Sequence, residues 1–378
     1  MPVPEELLSQ LRRFPDVEAP NLFAVDGADR LILDEAAAAL LAAEPGTVAV
    51  IGDRYGALTL GAVAGFGVLE PRVHQDPLTG EQALAANAAR AGLAQSYRAC
   101  PLDADLLAGA TVVLMQLPRG LAELEEIAEA IARYADPDVV VFAGGRVKHL
   151  SVAMNEVLAR SFVDVHASLG RQKARVLVAR GTRPVPATPG YPRRERLAEL
   201  DLEVLAHGAA FAGTKLDIGT RFLLDHLPRM APDAATAVDL GCGTGILAVS
   251  LAKARPGLSV IATDQSAAAV ASAAATAHAN GVGDRVTALR DDAMATLADA
   301  SADLIVCNPP FHVGAAVHTG GALSMFRAAG RVLSPGGELW TVYNSHLGYK
   351  GPLRSSVGPT EQIARNSKFT VSRSVRGA

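Results

Sequence analysis

Short apolar runs alternate with Ala/Leu-rich stretches of helical length through most of this chain. In the second half, Ala237 to Leu240, Ser259 to Ala262, Val286 to Leu289, Leu304 to Cys307 and Glu338 to Tyr343 read as strands. Ile246 to Ala254, Ser266 to Ala279 and Leu323 to Leu333 read as helices between them. The first half offers a parallel series: strand Val48 to Ile51, helix Gly80 to Ala91, strand Thr111 to Met115, helix Leu121 to Tyr134 and strand Val139 to Ala143. Continuous apolar strands separated by helices are the mark of a mostly parallel sheet covered on both faces. The chain therefore reads as α/β, with one architecture used twice. Pro184, Pro186, Pro189 and Pro192 forbid a regular backbone ladder between the halves. A linker is expected at residues 183–196, separating a first domain, 1–182, from a second, 197–378.

A length of 378 residues, 49% of them hydrophobic and 20% charged, favours two domains with well-packed cores. Met1 to Pro20 carry Glu5, Glu6, Arg12, Arg13, Asp16 and Glu18 with no uninterrupted apolar run. Neither a secretory signal nor a membrane span is expected, and the predicted location is the cytoplasm. Cys100, Cys242 and Cys307 lack zinc-site spacing, so no metal site is expected and a reduced compartment fits. A formal charge of −4 argues against a general basic field that coats nucleic acid, so any RNA contact must use local patches.

The strand at Ala237 leads into Asp239-Leu240-Gly241-Cys242-Gly243-Thr244-Gly245 and then a helix, so glycines sit where a ligand can approach the backbone. The dinucleotide fingerprint needs a G-x-G-x-x-G spacing, whereas here the third such position is Ile246. Asp239 is placed to face a methionine ammonium, and Asp264, at the next strand end, to accept from ribose hydroxyls. Asp292 is placed to receive an adenine amino group, and Ala293 to offer a backbone N–H to the ring. Together they describe a nucleoside site without phosphates. Against this stands the plainer reading of a tight turn with Asp264 as a helix cap.

The fourth strand ends in Asn308-Pro309-Pro310-Phe311-His312. The lone pair of an exocyclic amine on a nucleobase is delocalised, so an enzyme gains by holding the nitrogen in a more tetrahedral form. The Asn308 side-chain oxygen and the Pro309 carbonyl can accept from its two N–H bonds, with Pro309 and Pro310 restricting the backbone. Phe311 offers a face for a flipped base. The same chemistry suits guanine N2, adenine N6 or a glutamine side chain. A non-catalytic RNA-binding assembly factor is the alternative of another class. Cys242 and Cys307 read as packing residues and His312 as a cap.

Taken together, Asp239 to Gly245, Asp264, Asp292 and the Asn-Pro-Pro-Phe run resemble a class I S-adenosyl-L-methionine methyltransferase. Phe211 to Leu224, with Asn308 to His312, resembles the bacterial ribosomal RNA guanine-N2 methyltransferases, and Tyr343 to Tyr349 with Ser367 to Val371 is most similar to the large-subunit type. The family usually has an arginine where this chain has Ser345. The resemblance implies two tandem Rossmann-like domains, with a seven-stranded mostly parallel sheet in the C-terminal one. It also implies methylation of guanine N2 in ribosomal RNA, naked or within a subunit, by what is expected to be a monomer.

In the first half, Gly52 and Gly56 stand opposite Gly241 and Gly245, but Val50 stands opposite Asp239 and Arg54 opposite Gly243. Gln116-Leu117-Pro118-Arg119 stands opposite Asn308 to Phe311. This half is expected not to methylate. Arg146, Lys148, His149, Arg171, Lys173 and Arg175 are candidates for holding RNA, or else a solvated charged face.

Overall fold

The structure, a computed structural model, describes residues 5–309 and 318–377. The chain divides into two compact units, one ending at Tyr191 and the other beginning at Pro192.

The first unit holds strands β1 (Val48–Ile51), β2 (Arg72–His74), β3 (Arg98–Ala99), β4 (Val112–Gln116), β5 (Val140–Arg146), β6 (Phe162–Ala167) and β7 (Ala174–Thr182). A hairpin, β8 (Arg193–Leu197) and β9 (Leu202–Ala206), opens the second unit. Strands β10 (Thr236–Leu240), β11 (Ser259–Asp264), β12 (Val286–Arg290), β13 (Ala302–Cys307), β14 (Leu333–Asn344), β15 (Thr360–Arg365) and β16 (Phe369–Val375) follow. The two large sheets have one strand order, β3-β2-β1-β4-β5-β7-β6 and β12-β11-β10-β13-β14-β16-β15. The first five strands of each order are parallel, and the last two pair antiparallel. The duplication expected from the sequence is therefore real, and so is the seven-stranded, mostly parallel second sheet.

Alternation explains the layers. Ile51, Val113 and Met115 enter one core while Val50, Val112 and Leu114 enter the other, so each central strand is apolar on both faces. In the second unit Ala237, Leu304 and Val306 pack opposite Val238, Ile305 and Cys307 in the same way.

The structure also adds to the sequence reading around the site and the junction of the units. The expected linker ended at Arg196, but the prolines stop at Pro192 and Arg193–Leu197 pairs with Leu202–Ala206, with Arg194 bridged to Glu203 at 2.9 Å. A helix at Gly27–Leu41, unforeseen, starts from an Asp26 capping box in which Asp29 answers the Asp26 N–H. Strand β9 is sealed along one edge by side chains of a helix, Ala267–Ala279, and its cap residue. Ser272 Oγ accepts from His207 N at 2.9 Å, Thr276 Oγ1 from Leu205 N at 3.0 Å, and Asn280 Oδ1 from Glu203 N at 3.0 Å. Thr276 and Asn280 also donate back to the Leu205 and Glu203 carbonyls. Spaced four residues apart, the three side chains stand in for a neighbouring strand.

Candidate functional site

In an open α/β sheet the ligand crevice opens at the carboxyl ends of the strands, where the order reverses. Here that point lies between β10 and β13, whose last residues, Leu240 and Cys307, are register partners. Gly241 and Asn308 therefore emerge side by side.

Gly241, Gly243 and Gly245 all take left-handed φ, +77°, +53° and +77°. A methyl group at Gly245 would lie 2.9 Å from the Cα of Ala273 on the Ala-rich helix, so this glycine is required for close packing. At Gly243 the same group would meet nothing within 4 Å, so the turn faces open space there. The turn is pinned to the end of β11: Gly241 N and Cys242 N donate to Thr263 O at 2.9 and 3.0 Å, and Gly243 N to Asp264 Oδ2 at 3.1 Å. The other Asp264 oxygen accepts from Ser266 N at 3.0 Å, and Ser266 caps the following helix. Asp264 thus holds the turn and the helix entry together, a role that the plain cap reading captured only in part.

Asp239 is fully buried on β10. Its Oδ2 accepts from Ala248 N at 3.0 Å in the first turn of helix Ile246–Ala254, while among the described residues its Oδ1 has no hydrogen-bond partner. Burial pushes its pKa up to about 7, with Asp264 adding to the effect and the Ala248 N–H opposing it. An unmatched carboxylate oxygen beneath a ligand-facing turn fits a cationic group arriving from outside. Cys242 and Cys307 are buried, and burial raises both thiols well above their usual range, as packing residues require.

Asp292 and Ala293 follow β12, which lies beside β11, and both are half-buried, with Ala293 in the left-handed region at φ +48°. The adjacent Asp291 is the inward carboxylate: it accepts from Thr296 N and Oγ1 at 2.9 and 2.6 Å, and its own N–H donates to Asp264 O at 2.9 Å.

Asn308 is held from a direction that residue-by-residue reading missed. Its Nδ2 donates to Asp217 Oδ2 and to Thr220 Oγ1, each at 2.9 Å. Asp217 caps helix Ile218–Leu224 by accepting from Thr220 N at 3.0 Å. Among the described residues, Asn308 Oδ1 is buried and has no hydrogen-bond partner. The signal was present in the sequence, because Asp217 to Thr220 lie within the Phe211 to Leu224 stretch, but nothing there joined it to Asn308. Pro309 is buried. Pro310, Phe311 and His312 lie outside the described residues.

The chain matches the Methyltransferase small domain family over residues 201–373 and the RLMG N-terminal domain family over residues 4–183. It is 39% identical to the Ribosomal RNA large subunit methyltransferase G of Pseudomonas paraeruginosa over 368 residues, 96% of each chain. It is 35% identical to the protein of that name from Streptomyces avermitilis over 373 residues, 97% of this chain and 96% of the relative. Among solved structures, a 16S rRNA N2 methyltransferase of T. thermophilus, in complex with AdoMet and guanosine, superposes with a TM-score of 0.71. That likeness, at 23% identity over 95% of this chain and 97% of that one, is one of fold. By its two matched domains and its full-length relatives, this chain belongs to the ribosomal RNA large subunit methyltransferase G family.

Proposed function

We propose that the second unit transfers a methyl group from S-adenosyl-L-methionine to the exocyclic N2 of a guanine in large-subunit ribosomal RNA. The observation that carries this reading is the amide of Asn308. Its nitrogen donates to both Asp217 and Thr220, and among the described residues its buried oxygen is left without a donor. Such an oxygen lacks only an N–H, which is what an exocyclic amine supplies. The names of the relatives point to methylation of large-subunit ribosomal RNA.

The residues present fit the cofactor. Asp239 Oδ1 would take its ammonium, Asp264 its ribose hydroxyls, Asp292 its adenine amino group and the Ala293 N–H its ring, with Gly243 giving backbone clearance in a turn that Gly241 and Gly245 shape. When bound, it would supply a methyl that is already electrophilic on a sulfonium and a neutral thioether as leaving group. The protein's task is then orientation rather than strong acid or base chemistry. Asn308 Oδ1 accepts one N–H of the amine and the Pro309 carbonyl the other, directing the nitrogen lone pair out of the ring plane. Phe311 stacks the extruded base, and Pro310 stiffens the loop. Held this way, the amine nitrogen would face the methyl donor with its lone pair, and its surplus proton would pass to water.

The first unit holds RNA and does not methylate. Val147 N donates to Lys173 O at 2.9 Å, which joins the Arg146–His149 loop to the turn before β7. His149 is held below its usual pKa by desolvation and by the positive charge of Arg119, Lys148, Arg146 and Arg54. Arg171 contributes less, because Asp34 and Glu35 face it at 3.4 and 3.5 Å. The protein acts in the cytoplasm on ribosomal RNA. Nucleoside mass spectrometry of ribosomal RNA from cells lacking the gene tests the reading. N2-methylguanosine should be missing from the large-subunit RNA and return with the wild-type gene but not with Asn308→Ala. Loss of an N6-methyladenosine instead would overturn the guanine assignment.

A further inference from the structure

A carboxamide has two orientations related by a half-turn, and only one of them presents an acceptor. With the nitrogen outward, Asn308 would set its own N–H groups against those of the substrate amine and oppose binding. Something must fix the orientation before substrate arrives.

Resting on the reading above, we infer that Asp217 and Thr220 are positioning residues that lock the Asn308 amide with its oxygen toward the amine. The Asp217 carboxylate can only accept when ionised, so it selects the Nδ2 side, 2.9 Å away. Thr220 Oγ1 accepts from the same nitrogen at 2.9 Å. The clamp is itself held, since Asp217 Oδ2 also accepts from Thr220 N at 3.0 Å, tying it to the helix start. Gly219 keeps this corner open: a methyl group there would lie 3.0 Å from Asp217 Oδ2 and 3.4 Å from Asn308 Oδ1. Donation to a carboxylate also draws electron density toward the amide oxygen, which strengthens it as an acceptor.

An independent observation supports the clamp. Asp26, Arg30, Leu33 and Asp34 recur at equal spacing as Asp217, Arg221, Leu224 and Asp225, so helix Gly27–Leu41 starts as Ile218–Leu224 does. Gln116, at the strand end equivalent to Asn308, donates its Nε2 to Asp29, which occupies the position of Thr220. The unit without the cofactor turn retains an amide held by the same helix turn. It is thus a feature of the repeated architecture, completed in the second unit by Asp217.

The test measures methyl transfer to large-subunit ribosomal RNA from cells lacking the gene, with the full-length protein. In Asp217→Ser/Thr220→Val the serine still caps the helix but neither side chain accepts from Asn308. Its kcat should fall about tenfold to hundredfold, with both KM values within about twofold of wild type. Asn308→Asp sets two carboxylates against each other, so one must hold a proton and activity should fall as pH rises through that shared pKa. Adding Asp217→Asn gives the new carboxylate a donor, so Asn308→Asp/Asp217→Asn should lose that alkaline fall and regain activity. In selectively labelled protein, the Asn308 side-chain amide protons should be protected from exchange in wild type and lose protection in the serine/valine variant. Wild-type kcat in that variant beside an inactive Asn308→Ala would overturn the clamp and leave the methyl-transfer reading intact. An active Asn308→Ala would overturn the methyl-transfer reading itself. If the serine/valine variant does not fold, equal alkaline falls in Asn308→Asp and its double variant would overturn the clamp.

Discussion

The two glycine turns have nearly the same backbone and different chemistry. Gly52, Arg54 and Gly56 take φ of +71°, +58° and +97°, as Gly241, Gly243 and Gly245 take +77°, +53° and +77°. Gly52 N donates to His74 O at 3.0 Å as Gly241 N does to Thr263 O at 2.9 Å. Arg54 N donates to Gln75 Oε1 at 2.7 Å where Gly243 N donates to Asp264 Oδ2 at 3.1 Å. Gln75 is buried, and its Nε2 bonds the Arg54 and Gly80 carbonyls, so a neutral amide closes a turn that elsewhere a carboxylate leaves partly exposed. The helix cap has moved as well. Asp53, inside the turn, uses both oxygens on Leu58 N and Thr59 N at 2.7 and 2.9 Å, whereas Asp239, on its strand, uses one on Ala248 N. At the glycine turn itself the first unit engages both oxygens of Asp53, whereas among the described residues the second leaves Asp239 Oδ1 and, at the neighbouring strand end, Asn308 Oδ1 unmatched. The difference is therefore local to the turn: the same backbone carries a carboxylate that is fully used in one unit and half used in the other.

This contrast can be broken experimentally. The largest effect is expected at the amide: Asn308→Ala should lower turnover by about 10²–10³-fold with cofactor affinity largely kept, while Gln116→Ala should leave turnover unchanged in the same assay. Next, Asp264→Ala should weaken S-adenosylmethionine by about tenfold to hundredfold by calorimetry. Gln75→Ala should leave that affinity alone and lower only the thermal midpoint. Third, cofactor affinity should depend on pH through Asp239. Its carboxyl titrates near 7 in the free protein, and a cationic partner lowers that value, so below it binding must expel a proton. Affinity should therefore rise with pH by at most about tenfold per unit and level off above about 7, a trend Asp239→Asn should abolish. Smallest is the effect in the first unit: Lys148→Glu with Lys173→Glu should weaken RNA binding modestly and reduce the slope of log affinity against log salt by about 1.5. Unchanged binding would leave that face purely structural.

Much of the fold was legible because parallel strands buried on both faces announce themselves as apolar runs, as in Val48 to Ile51 and Leu304 to Cys307. The antiparallel edge was not. Phe162–Ala167 is largely exposed and Thr360–Arg365 reads Thr-Glu-Gln-Ile-Ala-Arg, so neither carries an apolar run. Helix Ala57–Phe66 is apolar all round and lacks the periodicity that betrays an amphipathic helix. At the site, residues local to strand ends could be foreseen from spacing alone. The Asn308 clamp could not, since Asp217 and Thr220 lie 91 and 88 residues away in sequence. Nor could the sharing of labour between Asp291 and Asp292, two identical side chains whose directions only the loop decides.

The Ser272, Thr276 and Asn280 stripe carries a consequence for how the second unit is made. Strand β9 meets these side chains across 65, 71 and 77 residues of chain, so on a growing polypeptide its outer edge waits bare until the Ala-rich helix has been synthesised. A nascent chain stalled before Asn280 would present an open strand to its neighbours, and the same helix that later shields it is the one against which Gly245 rests.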